Sequence, residues 1–192
     1  QSLIIMRITG GRARGIRLKV PSKLFTRPAT DRMREAVFAS LGTSVQNCQV
    51  LDLFAGSGSY GLEALSRGAA SVCFVENNRA AIKCLEINTA AVTRSCDLEK
   101  EVTRIVVQDV YSSQTKLQKY DLLFIDPPYA SIASNIDRLF TTVIKNCSVK
   151  TTRAIIEIPS DLEFQIEDWE PVRRIGKPGK GKPNVVIFSP TF

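Results

Sequence analysis

Histidine is absent from all 192 residues. That excludes a Ser-His-Asp triad, a Cys-His pair and the two-histidine helix of zinc proteases, so any chemistry here runs without imidazole. Cysteine is scarce: Cys48, Cys73, Cys84, Cys96 and Cys147 are an odd number with no C-x-x-C spacing. They are read as reduced core thiols rather than a disulfide framework or metal ligands, and no metal is expected. No uncharged apolar run approaches the roughly 20 residues of a membrane span. Gln1 to Met6 show no basic segment leading into a long apolar stretch and a small-residue cleavage site. No secretory leader is therefore expected, and a cytoplasmic location is.

Acidic residues are nearly missing from one end of the chain. Residues 1–34 carry Arg7, Arg12, Arg14, Arg17, Lys19, Lys23, Arg27, Arg32 and Arg34 against Asp31 alone, so this segment is +8 within a net charge of +7. The remainder is slightly acidic, apart from a second basic run of Arg173, Arg174, Lys177, Lys180 and Lys182 mixed with glycine and proline. Two basic clusters flanking a near-neutral core suggest surfaces that meet phosphates, as in nucleic-acid binding. The overall composition, 44% hydrophobic and 23% charged, is that of one globular domain with a short appendage.

The hydrophobic pattern predicts a hairpin from Ile4–Ile8 and Ile16–Val20, then a helix capped by Thr30 or Asp31, with Met33, Val37, Phe38 and Leu41 at helical spacing. After Gly42, strands (50–54, 71–76, 103–108, 122–126 and 154–158) alternate with helices (60–67, 79–92 and 132–146). The tail from Val172 to Phe188 can supply two more strands. Short strands that are apolar at nearly every position suit a sheet covered on both faces. The expected fold class is α/β, a doubly wound, mostly parallel seven-stranded sheet with a small N-terminal β-hairpin and helix extension. Residues 1–43 are assigned to the extension and 44–192 to the α/β domain.

In such a sheet, ligands lie beyond the carboxyl ends of the strands. The first of these ends carries Gly56, Gly58 and Gly61 in a G-x-G-x-x-G pattern between a strand and a helix, suited to a close approach of backbone to cofactor. Glu76 ends the next strand 20 residues after Gly56, the spacing of a carboxylate that accepts hydrogen bonds from a ribose diol. Asp109, after the third strand, is placed to receive an adenine amine, although a surface role accounts for its spacing nearly as well. The fourth strand runs into Asp126-Pro127-Pro128-Tyr129. Two prolines remove two donors and leave carbonyls free, so a planar amine can be held by a carbonyl and the Asp126 carboxylate while Tyr129 stacks on the base.

This combination resembles the class I S-adenosylmethionine-dependent amino-methyltransferases. Met6-Arg-Ile-Thr-Gly-Gly, Arg14-Gly, Arg27-Pro-Ala-Thr-Asp-Arg-Met-Arg-Glu, Leu51-Asp-Leu-Phe-Ala-Gly-Ser-Gly and Gly61-Leu-Glu-Ala-Leu-Ser-Arg-Gly-Ala extend the likeness. Together they resemble the RsmD-type guanine-N2 methyltransferases of 16S ribosomal RNA, from Met6 to about Tyr129. The resemblance implies S-adenosyl-L-methionine as cofactor and 16S ribosomal RNA as partner, with a Rossmann-like domain acting as a monomer. It implies that Asp52, Phe54, Ala55, Gly56, Ser57 and Gly58 hold the methionine end, Glu76 the ribose, and Asn77, Asp109 and Val110 the adenine side. Asp126, Pro127, Pro128 and Tyr129 are the implied catalytic set. Arg12, Arg14, Arg17, Arg27, Thr30 and Arg32 are expected at the RNA. The sequence departs from the family pattern at Ala29, Tyr60 and Asn77.

Asp-Pro-Pro-Tyr also marks DNA adenine-N6 methyltransferases, which keeps that substrate open. A nicotinamide-dependent oxidoreductase would share the glycine loop and acidic residue but would leave Asp-Pro-Pro-Tyr unexplained. A non-enzymatic RNA-binding module would account for the basic clusters but not for the loaded strand ends.

Overall fold

The computed structural model describes residues 6–21, 30–112 and 118–192, with backbone only at 129–131. Among the described residues, nine strands form two sheets. Strands β1 (Met6–Arg7) and β2 (Arg17–Leu18) make a small antiparallel hairpin. The main sheet contains β3 (Gln49–Leu53), β4 (Ser71–Glu76), β5 (Thr103–Val107), β6 (Tyr120–Ile125), β7 (Ser148–Pro159), β8 (Trp169–Gly176) and β9 (Pro183–Pro190). Their order is β5-β4-β3-β6-β7-β9-β8, parallel from β5 to β7 and antiparallel through β9 and β8. The chain winds from β3 to one side through β4 and β5, then returns to place β6 on the other. The topological switch point therefore lies between β3 and β6, where a crevice opens beyond the strand ends.

Alternation along the strands builds two cores. Val50, Phe74, Leu122, Phe124 and Ile155 face one side of the sheet, together with Met6, Ile8, Val37, Phe38 and Leu62. Leu51, Leu53, Leu123, Ile125 and Ile156 face the other, with Ile132, Ile136, Phe140 and Trp169. Side chains at neighbouring positions point to opposite faces, so a strand buried on both sides must be apolar throughout.

Helix α1 (Asp31–Leu41) is capped by Thr30, whose hydroxyl accepts from the Met33 N–H. Helix α2 (Ser59–Ser66) follows β3 and is buried at every position, lying between the sheet and the N-terminal hairpin. Helix α3 (Arg79–Ser95) is capped by Asn78. Helix α4 (Tyr129–Arg138) continues through a π-helical stretch, Leu139–Ile144, to a final turn at Lys145–Cys147.

Among the described cations of the basic segment, Arg34 alone is not on the surface. Arg34 is fully buried, pairing with Asp31 at 2.9 Å and lying 3.8 Å from Glu63, so it belongs to the core rather than to a phosphate-gripping face. The cysteines also divide: Cys73, Cys96 and Cys147 are buried, whereas Cys48 and Cys84 are half-exposed, and all five are free thiols.

Candidate functional site at the switch point

The turn after β3 is conformationally loaded. Phe54 holds φ +60°, a region that a bulky residue seldom occupies, and Gly56 and Gly58 follow at +55° and +82°. A Cβ on Gly58 would stand 2.4 Å from Leu85 Cδ1, whereas at Gly56 nothing but the Phe54 carbonyl lies within 4 Å, at 3.9 Å. Gly58 is therefore required by packing from below, while Gly56 leaves open space above the turn. Gly61 serves helix-to-strand contact: a Cβ there would lie 2.5 Å from Phe74 and 2.7 Å from Val72.

Glu76 ties this turn to the neighbouring strand end. Its Oε2 accepts from the Gly56 N–H at 2.8 Å, and its Oε1 accepts from the N–H groups of Asn77 and Asn78 at 2.9 and 2.8 Å. Three backbone donors fix the carboxylate and leave acceptor capacity on Oε2, which takes a single N–H. Beside it opens a cleft of about 200 Å³ lined by Phe54, Val75, Glu76, Asn77, Gln108, Asp109, Val110, Tyr111 and Pro128. Asp109 is exposed, and its Oδ1 accepts from the Tyr111 N–H at 2.8 Å, which sets the turn after β5. The Phe54 and Tyr111 rings meet at 5.8 Å between centroids, and Arg138 lies over Tyr111. An acceptor fixed at one end and apolar walls around it suit a nucleoside, and the residues present fit the group named by the resemblance.

Asp52 is placed under the turn rather than in the cleft wall. It is almost fully buried, and its Oδ2 accepts from the Gly61 N–H at 2.9 Å. Burial pushes its pKa up to about 8, helped by the Glu76 charge and opposed by the Gly61 hydrogen bond. Asp126 follows β6 at the level of Phe54, because Ile125 pairs with Leu53 across the switch point. Burial first, then the carboxylates of Glu157 and Asp52, drive its pKa well above the usual carboxylate range.

Sequence reasoning missed Glu157, Gln108 and Tyr111. Glu157 is a buried carboxylate on β7, and the Tyr60 hydroxyl donates to its Oε2 at 3.4 Å. Tyr60 also stacks on Phe124 at 5.1 Å, so this departure from the family pattern ties α2 to β6 and β7. Gln108 and Tyr111 flank Asp109, and only that adjacency could have signalled them.

The expected RNA-contacting residues are spread along the molecule. Helix α1 runs alongside α2 in the same direction: Arg34 faces Glu63, and Phe38 lies under Arg67. Thr30 and Arg32, both exposed, therefore stand at the end of the sheet that holds the cleft. The exposed Arg12 and Arg14 do not. Their turn is fastened to the last residue of α2, with the Arg12 N–H donating to the Ser66 carbonyl at 2.8 Å and the Ala13 N–H to the Ser66 hydroxyl at 2.9 Å. Eight residues of helix, about 12 Å, separate them from the glycine turn. Arg17, also exposed, sits on β2 opposite Arg7. Arg27 lies outside the described residues. Tyr129 begins α4, and its ring is not among the described side chains.

The chain is 40% identical to the ribosomal RNA small subunit methyltransferase D of Escherichia coli strain K12, over 65% of this chain and 60% of that protein. The Haemophilus influenzae protein of the same name is 36% identical over 65% and 64%. The alignments thus span somewhat under two thirds of these relatives. A solved structure of Escherichia coli yhhF, provisionally named a methyltransferase, superposes with a TM-score of 0.77 at 29% identity, covering 97% of this chain and 98% of that one. Residues 6–186 match the model of the family described as conserved hypothetical protein 95, and the chain belongs to that family, the RsmD family.

Proposed function

We propose that the chain is an S-adenosyl-L-methionine-dependent methyltransferase acting on the exocyclic N2 amine of a guanine in 16S ribosomal RNA. In this reading it works as a cytoplasmic monomer on the small subunit or an assembly intermediate, with residues 1–43 as an RNA-facing extension of the 44–192 catalytic domain. The observation that carries it is the meeting at the switch point of Asp126-Pro127-Pro128-Tyr129 with the cleft that holds Phe54, Glu76 and Asp109. The substrate class is supported by the name of the Escherichia coli and Haemophilus influenzae relatives.

Glu76 accepts a ribose hydroxyl through Oε2, where its backbone donors leave a site unused. Asp109, Asn77 and Val110 border the adenine. The turn from Phe54 to Gly58, propped by Asp52 beneath it, takes the methionine end. When bound, the cofactor supplies an electrophilic methyl group on a sulfonium. Asp126 and the Pro127 carbonyl hold the target amine, and Tyr129 stacks on the base. Orientation does most of the work, since the amine becomes far more acidic as it gains a bond and releases its proton without a strong base. A base in a paired helix must first be flipped out, at about a few kcal/mol.

The test is transfer of labelled methyl from S-adenosyl-L-methionine to small subunits that lack their native modification, with the product nucleosides resolved by mass. N2-methylguanosine is expected. Label in N6-methyladenine of DNA would replace the substrate and keep the fold, and no transfer to any nucleic acid would overturn the reading. Asp126→Ala is expected to abolish turnover while cofactor affinity stays within a few-fold; equal loss of both would make Asp126 a structural residue.

A further inference from the structure

The second basic cluster is brought by the sheet topology to the edge of the candidate site. Strands β6 and β7 run parallel, and β9 runs back along β7 with Pro183 opposite Pro159, the last residue of β7. The β8–β9 turn, residues 177–182, therefore leaves the sheet beyond the carboxyl ends of β6 and β7. Asp126 leaves the sheet at the same end. Strand β9 is two positions from β6, about 10 Å at ordinary strand spacing. The cleft with Glu76 and Asp109 lies over the opposite half of the sheet, beyond β4 and β5. The turn thus stands on the far side of Asp126 from the cofactor cleft, where the body of a macromolecular substrate has to lie.

This turn is built to hold a shape. The Ser160 N–H donates to the Lys182 carbonyl at 2.8 Å, and the Gly181 N–H to Asp161 Oδ1 at 3.0 Å. The Ser160 hydroxyl reaches the Gly179 carbonyl, and Asn184 Nδ2 donates to the Lys177 carbonyl at 3.0 Å. These bonds engage backbone and leave the lysine side chains outward. Lys177, Lys180 and Lys182 are exposed, as are Arg173 and Arg174 on the edge strand β8. Among the described residues, no carboxylate lies within ion-pair distance of any of these five. Asp161, engaged by the Gly181 N–H, is a counter-charge that faces Lys180. Exposed ammonium groups on a turn of held backbone, with one carboxylate facing them, are complementary to a phosphate backbone.

We propose that the 177–182 turn, continued by Arg173 and Arg174, is a phosphate-binding rail that grips the RNA strand flanking the target nucleotide. It rests on the reading that the substrate is RNA, and it makes this turn, unlike the distant Arg12–Arg14 turn, a basic surface at the Asp126 end of the sheet.

The variant Lys177→Gln/Lys180→Gln/Lys182→Gln tests it, with deproteinised 16S ribosomal RNA as the probe in filter binding between 50 and 300 mM salt. Loss of three phosphate contacts is expected to flatten the log–log salt dependence by roughly two to three units and weaken binding about 10- to 100-fold near 100 mM. Affinity for S-adenosylhomocysteine and the thermal midpoint should not change, and Lys177→Arg/Lys180→Arg/Lys182→Arg should keep the wild-type slope. An unchanged slope in the glutamine variant would overturn the rail. Binding is read without turnover, so a wild-type protein that binds RNA with a tip-dependent slope but transfers no methyl would refute the methylation reading and leave the rail standing.

Discussion

Replacing Glu63 by alanine should detach the N-terminal hairpin from the α/β body. This fully buried carboxylate accepts from the Thr9 N–H at 2.8 Å, the Thr9 hydroxyl at 2.7 Å, the Gly10 N–H at 2.8 Å and Arg67 Nε at 2.8 Å. The buried Arg34 guanidinium lies 3.8 Å away. Alanine would leave two backbone donors without their acceptor and a buried cation without this counter-charge. Removing one partner of a buried ion pair costs about 3–5 kcal/mol, a large share of the roughly 5–15 kcal/mol that holds a domain together. Glu63→Gln keeps one acceptor oxygen and should cost about half as much. The paired variant Glu63→Leu/Arg34→Met removes both charges and should be milder than Glu63→Ala alone.

Urea unfolding measures the loss, and amide hydrogen exchange locates it. Protection should fall most at Thr9, Gly10, Arg12 and Ala13, whose amides are bonded to Glu63 or Ser66. A destabilisation by Glu63→Ala below about 1 kcal/mol, with exchange at those four amides unchanged, would refute the view that this carboxylate fastens the hairpin.

Asp52 should make the protein less stable as pH rises. Its folded pKa, about 8, stands above the ordinary value near 3.9, so the native state binds the extra proton. The stabilisation is complete below about pH 3.9 and is lost as pH climbs through 8, with a slope of up to about 1.4 kcal/mol per unit. Asp52→Asn should flatten that slope in urea midpoints taken from pH 5 to 9, and an unchanged slope would place the titration elsewhere. Glu157→Gln removes a carboxylate that faces Asp126 alongside Asp52 and Tyr60, so Asp126 should ionise at lower pH. If transfer uses the ionised Asp126, the rising limb of kcat/KM should move to lower pH in that variant, and a limb that stays in place contradicts the coupling. Gly61→Ala would put a Cβ 2.5 Å from Phe74 and 3.0 Å from Asp52 Oδ2, a crowding expected to cost about 1–3 kcal/mol in thermal or urea unfolding. A neutral substitution there would mean that α2 shifts freely on the sheet.

The features most legible in the sequence were those enforced by local pattern. The run Val50 to Phe54 reads as a strand because both its faces are buried, and the structure starts and ends β3 one residue earlier. The glycine turn, Glu76 and Asp126 are legible as strand-end residues because the strand boundaries alone place them there, and a doubly wound sheet puts ligands beyond such ends. Helix α4 was placed to begin at Ile132. It begins at Tyr129, directly after Pro128, and its π-helical stretch from Leu139 to Ile144 has no signature in a 3.6-residue period. The apolar run predicts a strand at 154–158, and β7 is longer, Ser148–Pro159, with Thr151, Thr152 and Arg153 in the added stretch. Thr152 is buried there nonetheless, its hydroxyl donating to the Tyr120 carbonyl at 2.8 Å where the β6–β7 register shifts, so the strand extends back to Ser148.

What escaped the sequence depends on partners far along the chain. Arg34 looked like one more cation in a basic segment, yet Asp31 and Glu63 hold it inside. Tyr60 looked like a bare departure from a pattern, and the carboxylate it meets is 97 residues away. The same blindness hid the direction of the two basic clusters. Composition counts charges but does not say which end of the sheet a turn emerges from. The first cluster splits: its turn with Arg12 and Arg14 is tied to the far end of α2, whereas Thr30, Arg32 and Arg17, the last opposite the Arg7 that pairs with Asp31, stand towards the end that holds the cleft. The second cluster is carried by the antiparallel return of β9 to the end where Asp126 stands. If the substrate places one base at Asp126 and its strand continues past β7, it meets the second cluster there and not the Arg12–Arg14 turn, and the salt dependence of the two sets of variants would then rank them in that order.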